Sequence, residues 1–133
     1  MDKLAKYRQI VQDVLQEYAA VPISNGDVQT QTIFDRENDH YQVMDIGWSN
    51  NRRVYDCDLH LDIINGKIWV QQNMTEMQIG QALMDKGVAK EDIVLGFQAP
   101  YAREYSGFAK GVLADSIHQI FSSLQGFSQH LLR

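Results

Sequence analysis

Leu4, Tyr7, Val11, Val14, Leu15 and Tyr18 return every three or four positions, a spacing that predicts an amphipathic helix over residues 2–20. Pro22 ends it, and Ser24-Asn25-Gly26-Asp27 reads as a turn. The pattern then changes period. Residues 28–34 are rich in Val, Thr, Ile and Phe and predict a strand. After the charged loop Asp35–Asp39, a second strand is expected from His40 to Trp48, with a turn at Ser49-Asn50-Asn51. Residues 52–64 alternate, with Tyr55, Cys57, Leu59, Leu61 and Ile63 on one face and Val54, Asp56, Asp58, His60 and Asp62 on the other.

Asn65-Gly66 is a strong hairpin signal, because a type I′ turn needs two positive φ angles. A two-residue loop there pairs Ile63 with Ile68, Asp62 with Trp69, Leu61 with Val70 and His60 with Gln71. Thr75 with Gln78 reads as a capping box for a helix carrying Ile79, Ala82 and Leu83 inward, stopped at Gly87. Ile93-Val94-Leu95 is a short buried segment, Pro100-Tyr101 begins a loop, and residues 109–124 predict a last amphipathic helix. The fold class expected is α+β: an N-terminal helix and an antiparallel β-meander packed against helices.

A chain of 133 residues fits one domain, and 44% apolar with 22% charged residues supplies an ordinary core. The net charge of −5 and the scattering of twelve Lys and Arg disfavour direct grip on a phosphate backbone; Arg52-Arg53 is the single adjacent basic pair. One cysteine, Cys57, excludes an internal disulfide and a multi-cysteine zinc site. The first residues carry charge rather than an apolar signal core, and no apolar run approaches the ~18 residues needed to span a bilayer. A cytoplasmic protein without membrane association is expected.

The stretch Asp62–Phe97 holds Asn65-Gly66-Lys67-Ile68-Trp69-Val70-Gln71, Thr75-Glu76, Gly87-Val88 and Lys90 through Phe97. Here the chain resembles the XisI family, the cyanobacterial fdxN-element excision controlling factors. Further blocks carry the resemblance: Asp2-Lys3-Leu4, Lys6-Tyr7-Arg8, Ser24–Asp27, Ile33-Phe34-Asp35, Asp39-His40-Tyr41, Gly47-Trp48, Arg52-Arg53-Val54 and Gly107-Phe108-Ala109. The chain departs from the family pattern at Asn73-Met74, usually Asp-Gly, at Ala89, usually Pro, and at Gln98, frequently His. The last departure weakens any essential imidazole at that position. The resemblance implies an XisI-like α+β domain over residues 1–110 and says nothing of the residues beyond; their own periodicity predicts 111–133 as a helical extension of the same domain. The resemblance also implies a role in DNA-element excision in which a separate recombinase cuts and joins, and an XisH-like protein as partner.

Asp56, Asp58, His60 and Asp62 offer oxygen ligands and one imidazole, a set suited to Mg²⁺ or Mn²⁺. Neighbours two apart on a strand stand about 6.6–7 Å from each other, so all four cannot hold one ion. His60 and Asp62 remain as a metal pair, against the plain reading of a solvated strand side. His40 or His60 offers an acid–base imidazole. Cys57 reads as core, and there is no Gly-x-Ser-x-Gly elbow or glycine-rich phosphate loop. Trp48, Arg52, Arg53, Lys67, Trp69 and Tyr101 are the candidate partner-binding residues, since Trp, Tyr and Arg dominate binding hot spots. The function expected is a non-enzymatic accessory factor that binds an XisH-like protein, needs no cofactor and self-associates as a dimer. The alternatives are a metal-dependent nuclease or hydrolase using His60 and Asp62, and a weak DNA-binding directionality factor using Arg52, Arg53 and Lys67.

Overall fold

The computed structural model describes residues 2–23, 26–104 and 106–111. Helix α1 (Lys3–Ala19) begins where the Asp2 carboxylate accepts from the Ala5 amide at 2.7 Å, an N-cap that occupies one otherwise unpaired donor. Its stripe of Tyr7, Ile10, Val11, Val14 and Leu15 is buried. Each fully enclosed aliphatic side chain there contributes about 1.5–3 kcal/mol. The stripe lies on a sheet of β1 (Asp27–Asp35), β2 (His40–Ser49), β3 (Arg52–Ile64), β4 (Lys67–Asn73) and β5 (Ile93–Leu95), hydrogen-bonded in that order. Tyr41, Val43, Leu59, Leu61, Ile68, Val70 and Ile93 complete the core from the sheet, with Ile79 and Leu83 from α2 (Ile79–Asp85).

The first four strands form the expected antiparallel meander. The fifth runs parallel to β4, so the sheet is mixed. A parallel neighbour requires a crossover connection, and α2 with a 3₁₀ turn (Lys90–Asp92) lies on it. The Asn65-Gly66 turn has φ of 51° and 77°, as a type I′ turn demands. A short helix, α3 (Pro100–Arg103), stands where a loop was expected, opened by Pro100 in its first turn.

Three local expectations are corrected. Thr75 does not cap α2, which starts four residues later with Gln78 as its cap. Instead Asn73 accepts from both the amide and the hydroxyl of Thr75, and the hydroxyl accepts from Met77; these side-chain bonds hold the chain in a turn rather than a helix. Residue 109 does not open a helix. The Ala109 amide donates to the Ile93 carbonyl at 2.8 Å, bridging the chain to β5, and the rest of that expected helix lies outside the described residues.

The third correction bears on function. The strict alternation expected along β3 breaks at a β-bulge. Met44 pairs with Cys57 but Val43 pairs with Leu59, leaving Asp58 as the extra residue. A bulge turns two successive side chains to one side, so Asp58 joins Leu59 on the helix-facing side. Cys57 is correspondingly on the opposite face beside Gln42 and His60, not in the apolar row. A second irregularity lies one strand over: Leu61 pairs with Val70 but His60 pairs with Gln72, leaving Gln71 unpaired where His60 was its expected partner.

Candidate functional site

The bulge at Asp58 decides what faces what. Without it, continuing the register from Ser49–Arg52 would set His40 opposite Leu61; with it, His40 is paired with Asp62 and Gln42 with His60. His40, His60 and Asp62 therefore meet on the sheet face away from α1. His40 Nδ1 lies 2.7 Å and His60 Nε2 2.8 Å from Asp62 Oδ1, while Gln71, freed by the second bulge, donates from Nε2 to Asp62 Oδ2 at 3.1 Å. Gln42 Nε2 stands 3.5 Å from His60 Nδ1. The Asp62 carboxylate is largely enclosed, whereas His40 is more than half exposed. The hydrogen bond to Asp62 raises the His40 imidazole's affinity for a proton above the usual histidine range. Spacing along one strand revealed His60 and Asp62; His40 joins them across strands, through a register no single-strand count contains.

The same bulge separates the expected row of four ligands. Asp58 faces Asp45 on the helix side, and its Oδ2 meets no donor among the described residues. Asp45 accepts from the Thr30 hydroxyl at 2.7 Å. Burial, then the hydrogen bond and charge of Asp45 and the charge of Asp56, push the Asp58 carboxyl up to about 7. An unfolded aspartate releases its proton near ~3.9, so folding takes up a proton between those values. Stability conferred by the protonated pair falls as pH rises from about 4 to about 7 and levels off above. Asp58→Asn keeps a donor toward Asp45 and removes the titration. Its thermal midpoint is expected to drop less than the wild type's between pH 5 and pH 8; equal drops in both proteins would show that Asp58 does not hold the proton.

The six expected recognition residues do not form one surface. Trp48 and Arg53 pair across β2 and β3 beside their turn, where the Arg53 guanidinium lies 5.6 Å from the Trp48 ring centroid and Trp48 is 51% exposed; Arg52 pairs with Ser49 and alternates to the opposite face, beside Val54 and Asp56. Tyr55, two residues on from Arg53 and 66% exposed, extends the Trp48–Arg53 patch and was absent from the expected set. Lys67 sits at the far end of β3, about 35 Å away along the strand, with its ammonium donating to the Glu91 carbonyl and lying 3.9 Å from Asp92. Tyr101 is 81% exposed on α3. Trp69 is corrected outright: it is 6% exposed, covered by the Arg103 guanidinium 5.2 Å from its ring and by the backbone at Gly96 and Gly111. Trp69 is a packing residue. Cys57 is half-buried, and burial raises its thiol pKa, opposite to what a nucleophile needs. Among the described residues no helix is long and apolar enough to cross a membrane.

The geometry can be set beside known proteins. None of the functionally curated proteins matches the chain. Two solved structures from Anabaena variabilis do. An XisI-like protein is 46% identical, with a TM-score of 0.76 over 80% of this chain and 97% of its own. The fdxN element excision controlling factor XisI is 34% identical, with a TM-score of 0.74 over 83% of this chain and 100% of its own. The sequence profile described as XisI protein matches residues 1–110, the span that carries the helix, the sheet and both bulges. On that profile and those two likenesses, the chain belongs to the XisI family.

Proposed function

We propose that this protein is a non-enzymatic accessory factor in controlled excision of a DNA element, acting by binding an XisH-like protein partner. Family membership supports the process, since one solved relative is an fdxN element excision controlling factor. The mode of action is carried by one observation: the exposed Trp48–Arg53 pair, extended on the same strand face by Tyr55. An aromatic–guanidinium cluster held out on a rigid hairpin supplies the residue types that anchor protein interfaces, at little conformational cost. The net charge of −5 opposes unaided DNA binding, because counterion release needs several clustered cations.

Co-expression with the XisH-like protein, followed by size exclusion with light scattering, tests the reading. A stable mixed complex is expected, with Trp48→Ala or Arg53→Ala weakening it by roughly 30-fold, the scale of a lost hot spot of about 2 kcal/mol. Two separate peaks would overturn the adaptor. Trp69→Ala is unsuitable for this purpose, since it removes a buried ring.

A further inference from the structure

We propose that His40, His60 and Asp62 form a binding site for one transition-metal dication, zinc being the best match. The proposal is independent of the adaptor reading, which needs no metal. Each residue offers one ligand atom, and the three atoms lie within 4.8 Å of one another. Two ligands at zinc distances, about 2.0–2.2 Å, stand at most about 4.4 Å apart, so a small movement of the half-exposed His40 ring closes the set. Two imidazoles with a single carboxylate suit zinc and its late first-row neighbours better than Mg²⁺ or Ca²⁺, which take mostly oxygen.

Three features mark the cluster as built. Both β-bulges serve it: the one at Asp58 sets His40 opposite Asp62, and the one at Gln71 frees that side chain to hold the second carboxylate oxygen. Such an outer partner fixes the plane of a ligating carboxylate. Gln42 stands at the far nitrogen of His60 and, with its amide turned over, accepts the proton that coordination through Nε2 places there. Finally, Asp62 is only 11% exposed, yet among the described residues no Lys or Arg pairs with it; its two charge partners are imidazoles. An enclosed carboxylate favours a cation beside it. The donor set provides the three protein ligands typical of zinc sites that keep a position for water, and the exposed His40 leaves that side to solvent.

The experiment uses the full chain stripped with chelator, then titrated with Zn²⁺. One equivalent per chain is expected, with a midpoint rise of roughly 5–10 °C at a hundredfold excess over Kd. Co²⁺ is expected to give visible absorption. His40→Gln, His60→Gln and Asp62→Asn should each weaken uptake at least tenfold, while His118→Ala and His130→Ala leave it unchanged. No uptake, or uptake lost only with His118 or His130, would overturn the site. If Asp62→Asn fails to fold, His40→Gln decides, because its ring is exposed: undiminished zinc binding there equally overturns the proposal.

Discussion

Replacing Gly47 with alanine is expected to cost about 3–4 kcal/mol and to lower the thermal midpoint by roughly 10–15 °C. Gly47 has a φ of +154°, which L side chains rarely adopt, and a Cβ there would lie 2.0 Å from the Asp27 carbonyl oxygen and 2.8 Å from Val28 Cα. Both neighbours are backbone of β1, so no rotamer change relieves the contact. The strand must move or the ladder must part near the Asp27–Trp48 and Val28–Gly47 pairs. Hydrogen exchange should therefore quicken at the start of β1 while α1 and β4 stay protected. Because Trp48 is the next residue, partner binding should weaken with it. A midpoint within about 3 °C of wild type would show that β1 accommodates the methyl group.

The second large effect is expected at the joint between α1 and the 3₁₀ turn. The Tyr7 hydroxyl donates to Asp92 at 2.6 Å and accepts from the Ala89 amide at 3.2 Å; Lys3 reaches the same carboxylate at 2.7 Å. Tyr7 and Asp92 are both buried, so Tyr7→Phe leaves a carboxylate and an amide each short of a partner, at about 3 kcal/mol in total. Burial alone would raise the Asp92 carboxyl, but the bonds from Lys3 and Tyr7 and the charges of Lys3 and Lys67 outweigh it and hold it below the usual range. Its contribution is thus present above about pH 4 and is lost as pH falls through the lower, folded value. Tyr7→Phe should flatten that acid limb. A cycle of Tyr7→Phe, Asp92→Ala and the double variant should return a coupling above about 1 kcal/mol. Additive losses would mean that the two groups act separately.

Helix α1, the four antiparallel strands, the Asn65-Gly66 turn and the buried Ile93–Leu95 segment were legible in residue order, because each rests on local periodicity or on a turn with special φ angles. The alternating row Asp56, Asp58, His60 and Asp62 was legible too, but only as an ideal strand. Its true division between two faces follows from one extra residue in a ladder, and nothing in the composition around Asp58 announces that residue. Thr75 shows the same limit in a helix start: the capping pattern is present, yet Asn73 wins the local hydrogen bonds.

Recognition residues divide similarly. Chemistry chose Trp48 and Trp69 alike, since both are large and amphipathic. Exposure separates them, and exposure is set by distant segments: Arg103 and Gly111 cover Trp69, while the Trp48 ring lies beside Arg53 of its own hairpin and stays 51% exposed. The sequence by itself determined α1 and its buried stripe, the four antiparallel strands, the Asn65-Gly66 turn, the acidic charge and the family. Tertiary structure alone decided that β5 runs parallel, that Trp69 is packed, and that His40 meets His60 and Asp62. Those outcomes depend on register and on contacts between residues far apart in the chain, which local propensity does not encode.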